Sequence, residues 1–569
     1  MKGAAERVHT VGVLRMSFRD QRSVRPVYDF EAKTSPCREA CPAGHDIAAA
    51  LHLAREGRFD AALALFLAES PFPSITGRVC YHPCEAACNR ASYDGAVHIN
   101  LLERAAAEHG RRTPAAAAAR RGERVAIIGA GPAGLTAAYH LLRWGYRVTV
   151  YERHTAPGGM LRYGIPEYRL PARIVEAETE RLAALGLEYR LGCRVGQDVA
   201  FQDLLVGYDA VFLAAGLAAA KKLPVPGVGD VPAKAGIDFL RRVREGTLRR
   251  VEGSVLVIGG GDVAIDAART AARLGAADVQ LYCLEDRQTM PAHPEEISEA
   301  EREGIGLHPA WAPIRFAPRA AGLLAEFRGV ERLEQGRPVL TEAAAAHTAD
   351  LCLYAIGQEA MAPFLPSEMF ENGRLLVNEL GQTRLPSLFA GGDLTGTYSV
   401  VQAIGSAKRA ALGIDCHLRG RDARELLPRL TIGAGPALSL RRYEALSPAS
   451  DGQPAPRSVT KFAALNLDYF PRQPRGPRPQ LSLAARRGFS EVNLSLAEEA
   501  ARQEGRRCFN CGACTVCGNC FTFCPDAAVL QLPGGYFTID EERCKGCGVC
   551  VEECPRAAMS MVQEAEVAP

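Results

Sequence analysis

Six cysteines stand within RRCFNCGACTVCGNCFTFCPD (506–526), at positions 508, 511, 514, 517, 520 and 524. The last four have the spacing C-x2-C-x2-C-x3-C-P, which holds a four-iron, four-sulfur cluster. Thiolate sulfur is the soft donor that such clusters require. A second run of the same spacing follows at Cys544, Cys547, Cys550 and Cys554, again ending in Cys-Pro. Where two such runs stand in tandem, the fourth cysteine of each ligates the other cluster. One cluster is therefore expected on Cys514, Cys517, Cys520 and Cys554, and the other on Cys544, Cys547, Cys550 and Cys524. Cys508 and Cys511 are surplus to that count. Taken alone they read as spare thiols, or as alternative ligands of the first cluster.

The chain holds nineteen cysteines: ten lie between 508 and 554, and five more, Cys37, Cys41, Cys80, Cys84 and Cys88, lie near the other end. Cys193, Cys283, Cys352 and Cys416 stand alone in apolar context and read as core residues. A disulfide framework belongs to small secreted domains, whereas this chain has 569 residues and no secretory h-region at its start. Zinc is opposed by the two Cys-Pro-terminated runs.

A different chemistry is written in RVAIIGAGPAGLTAAYHLLRWGYRVTVYE (124–152). An apolar strand runs into G-x-G-x-x-G at Gly129, Gly131 and Gly134; a helix and a second strand follow, and that strand ends in Glu152. The glycines let the backbone approach a pyrophosphate, Pro132 and Ala133 open the helix that faces it, and the acid bonds ribose hydroxyls. The Gly pair and compact turn of APGGMLRYGIPEYRLP (156–171) fit the wrapping of a flavin, with Gly159, Leu161, Ile165 and Arg169 as candidate contacts. Gly392 and Asp393, after a downstream apolar strand, suit a ribityl or pyrophosphate contact; a plain turn Asp is the simpler alternative. The first nucleotide is thus read as FAD.

The unit repeats in SVLVIGGGDVAIDAARTAARLGAADVQLYCLEDR (254–287) with Gly259, Gly261 and Ala264. Asp262, Val263 and Gly357 are further candidate contacts for a pyridine nucleotide. Glu285 falls near the adenosine ribose, where a carboxylate accepts bonds from the hydroxyls of NAD and repels the 2′-phosphate of NADP. That favours NADH. Arg287 argues the other way, because it could reach a phosphate, and Glu285 could be only a solvated strand end.

Around these sites the chain divides into an N-terminal arm (1–36), a helical iron–sulfur domain (37–120), an FAD-binding domain (121–252 and 350–420), an NAD(P)H-binding domain (253–349), a Pro- and Arg-rich surface connection (421–494) and a two-cluster ferredoxin domain (495–569). A low-complexity linker, RRTPAAAAARRGE (111–123), precedes the first nucleotide unit. The last domain is expected to open with a helix capped by Ser495, with Glu498 three residues on. The fold class is α/β: two Rossmann-like domains in a glutathione-reductase-like pair, an N-terminal helical domain, and a C-terminal α+β ferredoxin-like domain.

Together these motifs, with SPCREACP, ITGRVCYHPCEAAC, MPA and LFAGGDLTG, resemble the glutamate synthase small-subunit family. Its relatives include the N-terminal half of dihydropyrimidine dehydrogenase and the large subunit of NADH-dependent ferredoxin:NADP oxidoreductase. The resemblance spans about 37–418 and implies FAD, NAD(P)H and N-terminal four-iron clusters. It implies one cluster on the residues matching Cys41, Cys80 and Cys84 plus a Gln or Glu side chain, here Glu103. A second would use Cys37 and Cys88 with a cysteine pair that precedes them in the relatives. This chain has no cysteine before Cys37. RRCFNC (506–511) looks like that pair moved to the far end, so that Cys508 and Cys511 would reach back to Cys37 and Cys88. The fifteen clustered cysteines with Glu103 then make four sets of four. The family's arginine pair for the NADPH phosphate is replaced by Leu284 and Glu285, which agrees with NADH.

The balanced formal charge of +2 gives no case for nucleic acid, and no apolar run reaches the ~18 residues of a membrane span. No remaining segment is large enough to transform a substrate. The expected role is an electron-transfer subunit between NADH, or NADPH, and a partner in an anaerobic or microaerobic cytoplasm. The resemblance offers as partners a 2-oxoacid:ferredoxin oxidoreductase, a dissimilatory sulfite reductase, an aromatic acyl-CoA reductase or free ferredoxin. A glutamate synthase small subunit and a bifurcating oxidoreductase are the alternatives.

Overall fold

The computed structural model describes residues 24–28, 33–113, 119–217, 219–446, 458–533 and 535–563. Most of the expected arm, the middle of the 111–123 linker and residues 447–457 of the connection lie outside the described residues.

The strand Arg124–Ile128 is buried at four of its five positions, the pattern of a central parallel strand covered on both faces. It lies in a five-stranded parallel sheet ordered Leu388–Ala390, Ala210–Leu213, Arg124–Ile128, Arg147–Glu152, Glu188–Leu191. The strand Leu388–Ala390 returns from far along the chain to pair with Ala210–Leu213, so the sheet is completed only after the second nucleotide unit is made. That second unit forms another five-stranded parallel sheet, ordered Gly306–His308, Asp278–Tyr282, Ser254–Ile258, Leu351–Tyr354, Ala233–Ala235. In both, the chain runs from the central strand through a glycine turn into a helix, Pro132–Arg143 and Asp262–Arg273. A three-stranded antiparallel sheet, Trp311–Pro318, Leu323–Glu334 and Arg337–Ala349, flanks the second unit.

Short helices between Pro36 and His109 form the N-terminal region, and their apolar faces join the core of the first sheet. The C-terminal region has two one-turn helices, Asn519–Thr522 and Val549–Glu552, and a hairpin of Val529–Gln531 with Phe537–Ile539. Its last strand, Met559–Gln563, pairs antiparallel with Val24–Tyr28, so part of the expected N-terminal arm is an edge strand of the C-terminal region. The molecule is mixed α/β, with two Rossmann-like folds between a helical iron–sulfur region and a ferredoxin-like one.

Two expectations change. The helix before the C-terminal cysteines spans Glu498–Arg506 with Ala497 at its N-cap, so Ser495 does not cap it. The connection 421–494 lies on the surface only in part. It contains the helices Ala423–Leu430 and Leu440–Ala445, and Leu430, Ile432, Leu438 and Leu440 are fully buried. The Glu69 carboxylate explains the docking. Buried among the N-terminal helices, it accepts from Lys408 Nζ at 2.7 Å, Ser439 Oγ at 2.5 Å and Leu440 N at 2.9 Å. Farther on, Arg486 donates to Glu299, and the Val492 N–H donates to the Tyr168 carbonyl at 2.9 Å.

Candidate functional site

The first glycine turn is built so that only glycine fits. Gly129 has φ +108°, and a Cβ there would stand 2.3 Å from the Ala214 carbonyl oxygen. A Cβ on Gly134 would stand 1.9 Å from the Gly129 carbonyl oxygen, which fixes the close approach of helix to strand. Gly131 has only the Gly159 Cα near its Cβ position, at 4.0 Å, so its outer side is open. The Glu152 carboxylate closes the turn: it accepts from the N–H groups of Ala130 at 2.8 Å and His154 at 2.9 Å. Gly392 approaches Ala133 from the other side, and Asp393 follows it. Burial raises the Asp393 carboxyl to about 6. A half-buried carboxylate facing a pocket suits a hydroxyl-rich ligand such as a ribityl chain.

The second turn repeats the device. Gly259 has φ +136°, with the Ala355 carbonyl oxygen 2.4 Å from its Cβ position, and the outer side of Gly261 is open. Ala264 is buried against the sheet. Asp262 accepts from the His293 N–H at 3.0 Å. A Cβ on Gly260 would stand 2.7 Å from Glu285 Oε2, so the Glu285 carboxylate lies over the turn. Arg287 is exposed and pairs with Glu301 at 3.0 and 2.9 Å.

One cavity joins the two turns. Pro132, Leu161, Ile165, Arg169 and Asp393 line it from the first unit, and Gly261, Asp262, Val263 and Gly357 from the second. Val79 and Tyr81, the neighbours of Cys80, line it from the N-terminal region. Sequence reasoning missed those two, because nothing in their types marks them. Arg169 is engaged by the second unit: it is buried, 2.8 Å from Asp266 and 3.2 Å from Glu296. Burial works against its charge, but these two acids hold its pKa well above the usual value.

The cysteines gather in sets, and no disulfide joins any of them. Cys41, Cys80 and Glu103 are electrostatic neighbours, and Cys84 stands by Cys41 and Cys80. Glu103 is buried and raised to about 8 by burial, and it accepts from Thr76 Oγ1 at 2.5 Å. His45 Nδ1 is 3.7 Å away but is lowered to about 3 by burial, so it offers no charge at neutral pH. A buried carboxyl beside three thiols fits a cluster ligand. In the C-terminal region Cys514 stands by Cys520, Cys554 and Cys517, and Cys550 by Cys544, Cys547, Cys520 and Cys524. Cys524, Cys544, Cys547 and Cys550 line a single small cavity, closed on one side by Pro26 of the N-terminal strand.

These sulfurs are prepared for charge. Backbone N–H groups donate to Cys80 at 3.2 Å, Cys514 at 3.4 Å, Cys524 at 3.2 Å, Cys544 at 3.4 Å and Cys554 at 3.3 Å. Burial pushes the Cys550 thiol up to about 12, and a bound metal centre would displace its proton. Among the described residues no group of three His, Cys, Asp or Glu side chains converges on a single metal ion. A four-iron cluster spreads its ligands around a cube, not around one point, so the spaced sets fit it. The donor sets and the two glycine turns thus fit iron–sulfur clusters, a flavin dinucleotide and a pyridine nucleotide.

Comparison with known proteins agrees with this construction. Residues 123–411 match the family described as pyridine nucleotide-disulphide oxidoreductase. Residues 29–114 match dihydropyrimidine dehydrogenase domain II, 4Fe-4S cluster, and residues 537–560 match a 4Fe-4S binding domain. The chain is 38% identical over 435 residues to the NADP(+)-dependent formate dehydrogenase subunit beta of Moorella thermoacetica, covering 68% of this chain and 60% of that one. It is 31% identical to the NADPH-Fe(3+) oxidoreductase subunit beta of Geobacter sulfurreducens, covering 84% of this chain and 75% of that one. It is 33% identical to the glutamate synthase [NADPH] small chain of Escherichia coli, covering 66% of this chain and 87% of that one. With both nucleotide turns and the cysteine sets in place, the chain belongs to the pyridine nucleotide-disulphide oxidoreductase family, as an iron–sulfur flavin NAD(P)H oxidoreductase.

Proposed function

We propose that the chain is an electron-transfer subunit that oxidises NADH and delivers electrons through its clusters to a partner redox subunit or a ferredoxin in the cytoplasm. The observation that carries this reading is the shared cavity. It is lined by both glycine turns and by the residues on either side of Cys80. When bound there, FAD would exchange a hydride with nicotinamide and single electrons with the clusters. The residues of the chain hold and screen that exchange. Gly131 and Gly261 have open outer sides that would admit the two pyrophosphates, the Asp393 carboxylate would accept bonds from ribityl hydroxyls, and Leu161, Ile165 and Val79 would help keep water from the reacting rings. The Arg169–Asp266 ion pair, buried at the seam, holds the two nucleotide units in register.

The preference for NADH rests on Glu285, whose carboxylate overhangs the second turn, and on Arg287 being occupied by Glu301. The relatives named above carry NADP or NADPH in their names, and on the reading from Glu285 this chain would differ from them in that choice. The relatives are also subunits or chains of larger enzymes, which supports a partner that performs the terminal chemistry.

Steady-state reduction of a viologen dye under nitrogen tests the reading. NADH should support turnover with a kcat/KM well above that of NADPH. Turnover with neither nucleotide would sink the function; a preference for NADPH would sink the role given to Glu285.

A further inference from the structure

We propose that Cys508 and Cys511 join Cys37 and Cys88 as the four ligands of one iron–sulfur cluster, which fastens the two ends of the chain into a single electron path. This rests on the iron–sulfur reading above and not on the choice of nucleotide.

The geometry brings the four together. Asn89, next to Cys88, donates from Nδ2 to the Cys511 sulfur at 3.4 Å and to the Thr460 carbonyl at 2.9 Å. Cys37 has Cys88, Cys508 and Cys511 as electrostatic neighbours, and Cys88 is in turn a neighbour of both Cys508 and Cys511. The segment bearing the pair is seated firmly. Arg507 is buried and donates to the carbonyls of Gly95 at 2.7 Å and Ala96 at 3.2 Å, while Arg90 donates to the Arg507 carbonyl. Glu504 accepts from the His98 N–H at 2.8 Å, and Asn510 donates to the Ala48 carbonyl at 2.7 Å.

The backbone at the pair is that of a ligand loop. Asn510 has φ +52°, and its N–H donates to the Cys508 sulfur at 3.4 Å. The same turn stands over Cys80 at His82 (φ +40°), over Cys514 at Val516 (φ +56°) and over Cys544 at Gly546 (φ +71°). A left-handed conformation at a residue other than glycine costs on the order of 1 kcal/mol, and such strain gathers at functional sites. A spare thiol has no need of it.

The position of this set explains its use. On one side Cys37 is a neighbour of Cys84, a member of the Cys41, Cys80 and Glu103 group that borders the cofactor cavity. On the other, Arg556 has Cys508, Cys517 and Cys554 as neighbours, and it donates to the Phe509 carbonyl at 2.8 Å and to Thr515 Oγ1 at 2.6 Å. The shared set is the step between the inner cluster and the C-terminal pair.

The test is iron, acid-labile sulfide and flavin content of anaerobically purified protein. Four clusters give about sixteen irons per FAD. The Cys508→Ser/Cys511→Ser variant should fall to about twelve, as should Cys37→Ser, and joining all three changes should lose no more. Cys193→Ser, at an isolated thiol, should keep the full count. About twelve irons in the wild type, or an unchanged count in the double variant, overturns the shared cluster. The wild-type count decides even if a variant does not fold. Bleaching of the flavin by NADH is scored separately: its loss in a sixteen-iron protein would strike the functional reading and leave this inference standing.

Discussion

At the scale of single residues, two carboxylates carry the proposed nucleotide preferences. On the reading proposed above, Glu285 selects NADH. Glu285→Arg should lower the NADH-to-NADPH ratio of kcat/KM at least tenfold, about 1.4 kcal/mol, read from steady-state kinetics. Asp393 sets a pH dependence. Its pKa rises from 3.8 in the unfolded chain to about 6 when buried. The folded protein therefore binds more protons than the unfolded one between those values. The stability tied to this group is full below about 4 and is lost as pH rises through about 6. In flavin-free protein, Asp393→Asn should raise the unfolding midpoint at pH 7, and the gain should shrink as pH falls from 6 toward 4. The same variant should retain less FAD. A gain that did not change with pH would show that charge on Asp393 is not its source. Lys408, fully buried between Glu69 and the carbonyls of Ala43 and Leu438, is the structural counterpart. Lys408→Met leaves the Glu69 charge without its cation and should cost about 3–5 kcal/mol, measured by denaturant unfolding.

At the scale of elements, the connection is a strap. Arg486 bonds Glu299, and Arg478 bonds Glu295 at 3.2 Å, so residues after 475 bind the second nucleotide unit. Arg486→Ala should speed hydrogen exchange in 294–302 and leave exchange in 132–143 unchanged. The sequence could not show this strap. Its apolar residues, Leu430, Ile432, Leu438 and Leu440, stand as two pairs spaced two apart, runs too short to mark a strand, and their burial depends on the docking of this segment through partners such as Glu69 that lie more than 300 residues away. The pairing of Val24–Tyr28 with Met559–Gln563 was hidden for the same reason. The glycine turns were legible because their chemistry is local: each needs its strand, turn and helix within about thirty residues. The C-terminal cysteine runs were legible because their spacing is fixed by the ligand loop. Val79 and Tyr81 carried no such local mark, and their role is set by the cavity alone.

At the scale of the whole molecule, the two Rossmann-like folds form a centre to which both ends of the chain return. The N-terminal helices border the cofactor cavity, and the C-terminal cysteines dock against those helices. No helix among the described residues is long and apolar enough to cross a membrane. On the proposed function, electrons leave the nucleotide through the flavin and pass into the clusters. An anaerobic titration of the purified protein with NADH, followed by flavin absorbance and by the electron paramagnetic resonance of reduced clusters, tests it most directly. NADH should bleach the flavin, cluster signals should appear, and the protein should take up more than the two electrons a flavin can hold. Bleaching that stops at two electrons with no cluster signal would contradict that route.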